Sequence, residues 1–381
     1  MNFDYNEEQQ LLADSIRRFI ARDYDFETRK KIVASKEGSS GQVWSTFAEM
    51  GLLGIPFGAE QGGFGGGAID LMSAMEAIGE GLVVEPFVPS VGLGAQFVAR
   101  GGSEAQKNAI LPAVIEGKLK LAFAQTERGA RYDLARVAAS AKKAGNGWLL
   151  EGEKRVVLGA PLADKLVVSA RTSGKADDAK GISLFLVDRT APGVSLRPYL
   201  TVDETRAADV VLKGVEAGAD ALIGKEGEVL ALIEEVVDFA TALVCAEAVG
   251  VMKQANDATL EYLKTRKQFG VPIGTFQALQ HRMVDMVIAA EQARSMAYLA
   301  CAKVDSETDP IERKRLVSAA KVKIADACRH VSQESIQLHG GMGMSEELKV
   351  SHSFRRLTMI AQQFGDAEHH LERFAALDRS Y

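Results

Sequence analysis

The C-terminal part of the chain carries four long helical patterns in succession, and these patterns constrain the fold more than any other feature. Apolar residues recur at helical spacing through residues 228–265, 276–304, 310–339 and 346–376. The connections between the patterns are short. Long helices joined by short loops pack side by side. The sequence therefore predicts a four-helix bundle over residues 228–381.

The middle of the chain has a different pattern. Short β-branched runs lie at residues 148–159, 164–172, 181–189 and 193–200, and Gly, Pro and Asp residues separate them. Such runs are typical of antiparallel strands. Residues 120–227 are therefore predicted to form an antiparallel β-domain.

Helical patterns also fill the N-terminal part. They lie at residues 4–22, 41–52, 68–81, 90–101 and 103–117. Acidic side chains stand at the start of the first pattern, where they complement the positive end of a helix. Residues 1–119 are therefore predicted as a helical domain. The predicted fold class is α+β: a helical N-domain, a β middle domain and a C-terminal four-helix bundle.

Composition excludes several classes of protein. Of 381 residues, 47 % are hydrophobic and 25 % are charged, which is ordinary for a globular chain. The net charge of −6 argues against a nucleic-acid partner, and no apolar run approaches the ~18 residues of a membrane span. Cys245, Cys301 and Cys328 have no paired spacing, so they are expected to be reduced and buried. The acidic, polar N-terminus is unlike a signal or transit peptide, so a cytoplasmic location is expected.

Two motifs resemble functional sites, but their sequence context does not support that interpretation. The glycine-rich run 58–67 contains a Gly-x-Gly-x-x-Ala match, but no convincing strand precedes it, so a plain surface loop is predicted. Glu368, His369 and His370 look like metal ligands. Adjacent helical residues point about 100° apart, so a solvated helix end is predicted instead, and zinc-site spacing is not evident.

Two short segments carry the strongest functional signal. The first, TRKQFGVPIGTFQALQHRMVD at residues 265–285, places Arg266 close to Phe269 and Gln277. The second, IQLHGGMGM at residues 336–344, places Gln337 beside three glycines, where bare backbone can approach a ligand. A guanidinium, an aromatic ring and amides at this spacing suit a planar cofactor with a phosphate tail.

These segments, with weaker matches at AFAQTE (122–127) and LEGEK (150–154), closely resemble the acyl-CoA dehydrogenase family over the whole chain. The resemblance implies that the middle domain, residues 120–227, is barrel-like. It also implies oxidation of an acyl-CoA between Cα and Cβ, FAD as cofactor and an electron-transfer flavoprotein as acceptor. In finer detail the chain is similar to the small subunit of pimeloyl-CoA dehydrogenase and to other heteromeric members of the family, including those that shorten steroid side chains.

The resemblance assigns cofactor contacts to residues from two parts of the chain. Six match residues that reach the FAD of a neighbouring subunit: Arg266, Phe269, Gln277, Gln337, Gly340 and Gly341. Three match the flavin-facing strand and loop: Phe123, Gln125 and Thr126. That loop departs from the family pattern T-E-x-x-x-G-S-D, because Arg131 and Tyr132 replace Gly and Ser. The family's W-I-T-N-G segment, whose tryptophan stacks on the flavin, begins here at Val156. The alternative is that Arg266 only pairs with a surface acid and the glycines only close a loop.

The usual catalytic base is missing. The family's Y-E-G-T glutamate aligns with Phe364, and its alternative base position falls at Ala240, beside Thr241. Glu247 interrupts an apolar helical stripe, and burial there would raise its pKa, as a general base requires. The alternative is a structural glutamate paired with an arginine such as Arg294.

These observations leave three functions open. The chain is interpreted first as one subunit of an α2β2 heterotetramer, in which it completes the FAD site of a second acyl-CoA dehydrogenase subunit. The second possibility is a self-sufficient homotetramer that uses Glu247 as its base. The third is a catalytically silent scaffold subunit.

Overall fold

The structure, a computed structural model, describes residues 4–377; the first three residues of the N-terminal segment considered above lie outside that range. The described residues form two compact units. A helical unit comprises residues 4–31, 67–83 and 241–377, and a sheet unit comprises residues 32–66 and 84–240. Between residues 4 and 377, no helix combines the length and the apolar character that a membrane span requires.

The N-terminal part of the chain is helical, as predicted. Its helices are α1 (Glu7–Asp23), α2 (Phe26–Ala34), α3 (Gly41–Glu49), α4 (Ala68–Gly81), α5 (Ala95–Gly101) and α6 (Glu104–Ile115), with a π-helical turn at Val88–Gly94. Helix α1 begins with a capping box, in which Asn6 and Gln9 each accept the other's backbone N–H. The glycine-rich run 58–67 forms turns and a short 3-10 helix without a preceding strand, as predicted.

The middle of the chain forms one sheet. Its strands are β1 (Leu121–Ala124), β2 (Ser140–Ala144), β3 (Gly147–Leu158), β4 (Lys165–Arg171), β5 (Ile182–Asp188), β6 (Val194–Leu200), β7 (Arg206–Ala217) and β8 (Leu222–Ile223). The strand order is β6-β7-β3-β2-β4-β5-β8, and β1 pairs with β4. Most pairings are antiparallel, but β1 and β2 each run parallel to β4. The domain is therefore mainly antiparallel, as predicted, and the parallel pairs arise because β1 and β2 reach β4 through longer connections rather than tight hairpins.

The C-terminal part contains α7 (Leu230–Thr265), α8 (Gln277–Lys303), α9 (Pro310–His339), α10 (Lys349–Gln362) and α11 (Ala367–Leu377), with a small hairpin of β9 (Lys267–Gln268) and β10 (Val271–Pro272). The first three helices match the predicted patterns closely. The fourth pattern, predicted as one helix, is two helices separated by a sharp bend at residues 363–366. All three cysteines are free and buried, which confirms their predicted state.

Glycines let α4 and α7 approach closely in the helical unit. A Cβ on Gly250 would lie 1.9 Å from the carbonyl oxygen of Glu76, and one on Gly79 would lie 2.1 Å from that of Glu247. No other residue fits at either position without a shift of backbone. This contact helps to bury Glu247, the predicted base candidate, against a neighbouring helix.

Candidate functional site

The end of α7 and the hairpin after it present exposed groups to solvent. Arg266 and Gln277 are exposed, and Phe269 is 92 % exposed with a left-handed backbone (φ 52°). The hairpin is fixed from behind, because Arg266 N–H donates to the Tyr262 carbonyl and Ile273 N–H donates to the Arg266 carbonyl, both at 2.8 Å. A large, exposed aromatic ring on a strained backbone is a candidate for contact with a ligand or a partner, because strain of this kind is concentrated at functional sites.

The second segment lies beside the first. The Tyr262 ring near the end of α7 stacks on the His339 ring at the end of α9, with centroids 4.4 Å apart. Gln337 and Gly341 are exposed. Gly340 has a φ of 60°, and beyond its chain neighbours no described heavy atom lies within 4 Å of where its Cβ would stand. The end of α7, where the first segment begins, therefore packs against the second segment, and the backbone of Gly340 there is accessible.

Apolar side chains around these segments are also exposed. Met342 and Met344 follow Gly341, and Met344 is 72 % exposed. On α8, Val284, Val287 and Ile288 share one face at helical spacing, and each is about half exposed. Large exposed apolar side chains near one another mark interaction surfaces more often than free surface.

In the sheet unit, the flavin-facing residues predicted from the resemblance have three different environments. Phe123 on β1 is buried and packs its ring against Phe97, with centroids 4.3 Å apart, so its side chain belongs to the core. Gln125 is buried; its Nε2 donates to the Leu134 carbonyl at 2.8 Å, while its Oε1 has no partner among residues 4–377. Thr126 is half-buried. An unmet buried acceptor requires an explanation, and a bound ligand is one.

Val156 adjoins the same loop. Arg155 N–H donates to the Thr126 carbonyl at 2.7 Å, and Arg155 and Val156 lie within an irregularity of the β3–β7 pairing. Val156 is 47 % exposed and left-handed (φ 50°), an unfavourable conformation for a β-branched residue. Asp209 supports this conformation, because it accepts from Val156 N–H at 3.3 Å and from Arg155. Strain of this kind is concentrated at functional sites.

The bend at residues 363–366 carries Phe364, the residue at the predicted base position. Phe364 is half-buried with a φ of 61°, and Gly365 has a φ of 126°. Lys321 on α9 is fully buried, and its Nζ donates to the Ala361 and Gly365 carbonyls at 3.2 and 2.7 Å. His370 lies 3.1 Å from the Phe364 carbonyl through Nε2, so that nitrogen carries the proton.

His370 corrects the prediction of a solvated helix end at residues 368–370. It is buried, and burial, together with Lys321 and other cations nearby, lowers its pKa to about 2, so its ring is neutral. Burial likewise lowers the pKa of Lys321. Sequence patterns missed these contacts, since neither residue breaks the helical spacing. The bend is therefore held by two buried donors from α9 and α11.

Glu247 is occupied by a different partner from the one predicted. Its two oxygens accept from Nε and Nη2 of Arg356 on α10, both at 2.6 Å, in a bidentate pair that is nearly buried. Arg294 instead pairs with Glu76 at 3.3 Å. Both oxygens of the Glu247 carboxylate are therefore occupied by hydrogen bonds to one guanidinium. The alternative base position is also unsuited, because Ala240 and Thr241 are buried inside α7.

Three family models match consecutive parts of the chain: the acyl-CoA dehydrogenase N-terminal domain at residues 6–118, its middle domain at 122–215 and its C-terminal domain at 230–376. The chain belongs to the acyl-CoA dehydrogenase family. This confirms the predicted family and fold class, and it makes the protein an FAD-dependent acyl-CoA oxidoreductase by family.

Individual relatives agree over nearly full length. The probable acyl-CoA dehydrogenase YngJ of Bacillus subtilis is 29 % identical over 373 residues, which is 97 % of each chain. Among solved structures, a variant of the Tcur3481-Tcur3483 steroid ACAD is 30 % identical with a TM-score of 0.86 over 97 % of each chain. The FAD complex of PigA is 26 % identical with a TM-score of 0.90, over 99 % of this chain and 98 % of that one.

The residues present fit FAD as the cofactor. The unpartnered Oε1 of Gln125 offers a buried acceptor, and Gly340 offers backbone that a side chain would cover. Exposed Arg266 offers a guanidinium that can make parallel hydrogen bonds to phosphate oxygens.

Proposed function

We propose that this chain is one subunit of a heteromeric acyl-CoA dehydrogenase, in which it completes the FAD site of a second, different subunit. The proposal rests on a contrast between two groups of residues, those that match FAD contacts and those at the candidate base positions. The cofactor-reaching surface around Arg266 and Gln337 is built and exposed, while Phe364 occupies the base position and Glu247 is held by Arg356. The chain keeps the exposed side chains that could bind the FAD of a neighbouring subunit. At the candidate base positions it lacks a free carboxylate for proton abstraction.

On this proposal each exposed group has a defined role. Arg266 donates two hydrogen bonds to the pyrophosphate of the partner's FAD, and Gln337 with the backbone of Gly340 and Gly341 lines the same phosphates. Phe269 packs near the adenosine, and Gln277 hydrogen-bonds close by. FAD, when bound, supplies the acceptor for the β-hydride of the acyl-CoA.

The chain's own loop, which carries Gln125 and Thr126, offers fewer contacts to a flavin. Gln125 offers its unmet acceptor and Thr126 its hydroxyl, whereas Phe123 contributes by packing behind them. Val156, in place of an aromatic residue, leaves an aliphatic side chain at the flavin face. The second subunit would supply the better flavin pocket and the base.

Two alternatives remain as outcomes of the tests. A homotetramer with Glu247 as base requires the bidentate pair with Arg356 to open in every turnover, which disfavours it. A catalytically silent scaffold subunit would not explain why the side chains that match FAD contacts, around Arg266 and Gln337, are kept and exposed. The Tcur3481-Tcur3483 steroid ACAD, whose name joins two proteins, supports a heteromer. An α2β2 assembly, an electron-transfer flavoprotein as acceptor, a role in β-oxidation of a fatty acid or side chain, and a cytoplasmic location complete the proposal.

The test is to express the chain alone and measure flavin absorbance per subunit, oligomeric state and acyl-CoA oxidation. The expected result is little bound FAD and no activity, with both restored by co-expression with a second acyl-CoA dehydrogenase chain that carries a base. A yellow, active protein obtained from this chain alone overturns the heteromer.

Removing the Arg266 guanidinium should weaken FAD binding by the assembled protein. Charged hydrogen bonds of this type are worth ~1.5–3 kcal/mol, so Arg266→Ala should lower FAD affinity about 10- to 100-fold. The measurement is FAD retention in equilibrium dialysis. Lys264→Ala, which removes a nearby exposed cation, is the matched control and should leave affinity unchanged. Equal affinities in the two variants would mean that Arg266 is only a surface charge.

A further inference from the structure

A fully buried lysine lies behind the Gln125–Glu127 segment. Lys154 on β3 has no solvent exposure, and its Nζ donates to a Glu127 carboxylate oxygen at 2.6 Å, to Ser169 Oγ at 2.8 Å and to the Gln125 carbonyl at 3.2 Å. One ammonium group therefore binds both the backbone of Gln125 and the side chain of Glu127.

Glu127 extends this connection to the far end of the loop. Its carboxylate also accepts from the N–H groups of Ala138 and Ala139, at 2.7 and 3.0 Å. Nearby, Arg171 donates to the carbonyls of Ala135 and Val137. The two ends of the loop from residue 125 to residue 139 are thus tied to one buried carboxylate, and Lys154 neutralises it.

The same segment has an unmet polar group and a strained neighbour. Gln125 Oε1 has no partner within the described chain, and the carbonyl of Thr126 accepts from Arg155, the residue before left-handed Val156. A rigid, buried ionic support behind an unmet acceptor and a strained residue is what a preorganised ligand contact requires. The pair also costs desolvation, so stability alone explains it poorly.

We propose that Lys154 is a positioning residue, and that its charged form holds the Gln125–Glu127 segment in the shape that contacts FAD. This inference rests on the proposed function only in taking FAD as the ligand of this loop. It also requires that this chain's own loop contacts FAD, whether the neighbouring subunit is a second copy or a different chain.

The proposal makes FAD affinity depend on pH. Burial lowers the pKa of Lys154 to about 8; Glu127 opposes that shift, and Arg171 adds to it. If the charged lysine favours the FAD-binding shape, FAD binding must raise the lysine pKa. By linkage, FAD affinity is then full below that pKa and falls as pH rises through about 8.

The test measures FAD affinity by flavin fluorescence and equilibrium dialysis from pH 6.5 to 9.5, on the assembled protein. Wild type should lose affinity about three- to tenfold between pH 7 and 9. Lys154→Arg, whose charge persists across this range, should bind FAD with a flat profile. Ser169→Ala removes one acceptor of the charged form, so its midpoint should move to lower pH. This smaller change keeps the test valid if the larger guanidinium prevents folding.

Thermal unfolding of each variant separates positioning from stability. If both variants change stability but keep the wild-type pH profile for FAD, Lys154 is structural and the proposal fails. It also fails if wild type binds FAD equally at all these pH values, or binds none. Failure of the heteromer would appear instead in the flavin content and activity of the singly expressed chain.

Discussion

Phe364→Glu should give this chain the general base that it lacks. The bend that presents residue 364 already exists, because Lys321 donates to the Ala361 and Gly365 carbonyls and His370 lies within hydrogen-bonding distance of the Phe364 carbonyl. The site also already carries a non-glycine residue with a positive φ. A positioned base contributes about 10²- to 10⁴-fold to proton transfer. We therefore expect exchange of the acyl-CoA α-proton to rise by that order.

The measurement is deuterium incorporation at Cα of an acyl-CoA in D₂O, by the assembled, FAD-containing protein from which the base of the second subunit has been removed by substitution, so that exchange reports on this chain. Phe364→Gln is the matched control, because glutamine has nearly the same shape as glutamate and cannot accept the proton. Adding Lys321→Met to Phe364→Glu should reduce the gain, since the bend then loses two hydrogen bonds. Equal exchange in the Glu and Gln variants would show that residue 364 does not face the acyl-CoA.

The bend between α10 and α11 is a feature that the sequence pattern does not predict. The α7, α8 and α9 helices were predictable because their apolar residues repeat over many turns. The fourth pattern continues through residues 346–376 without interruption, although the chain bends at residues 363–366. The bend after α10 is held by Lys321 of α9 and His370 of α11. Contacts between residues of different helices are not visible in the local sequence pattern.

The candidate site was predictable to a similar extent. Arg266 and Gln337 could be found because they stand in distinctive short segments. The Lys154–Glu127 pair joins residues 27 positions apart, and in the sequence Lys154 looks like any polar residue of a half-buried strand. The partner of Glu247 was predicted wrongly for a related reason. An arginine such as Arg294 on α8 was predicted, and the packing of the helices instead places Arg356 of α10 against Glu247.

Replacing Arg356 should destabilise the helical unit strongly. Arg356→Met leaves the buried Glu247 carboxylate without its bidentate partner, and breaking a buried pair in this way costs about 3–5 kcal/mol. The measurement is the free energy of unfolding in urea. Arg282→Met is the matched control, because the Arg282–Glu334 pair has the same 2.6 Å length but is much more exposed. That control should lose no more than about 1 kcal/mol.

Variants of the Glu247–Arg356 pair also test whether Glu247 is the catalytic base. Because the loss in Arg356→Met comes from an uncompensated charge, adding Glu247→Met should recover much of the stability. Glu247→Gln keeps the shape and one acceptor for Arg356 but removes proton-accepting capacity. If Glu247 only holds α7 against α10, this variant keeps the activity of the assembled enzyme while losing stability. A fall in acyl-CoA oxidation of about 10²-fold or more without loss of stability would instead make Glu247 the base, and the homotetramer would then replace the heteromer as the better account of this chain.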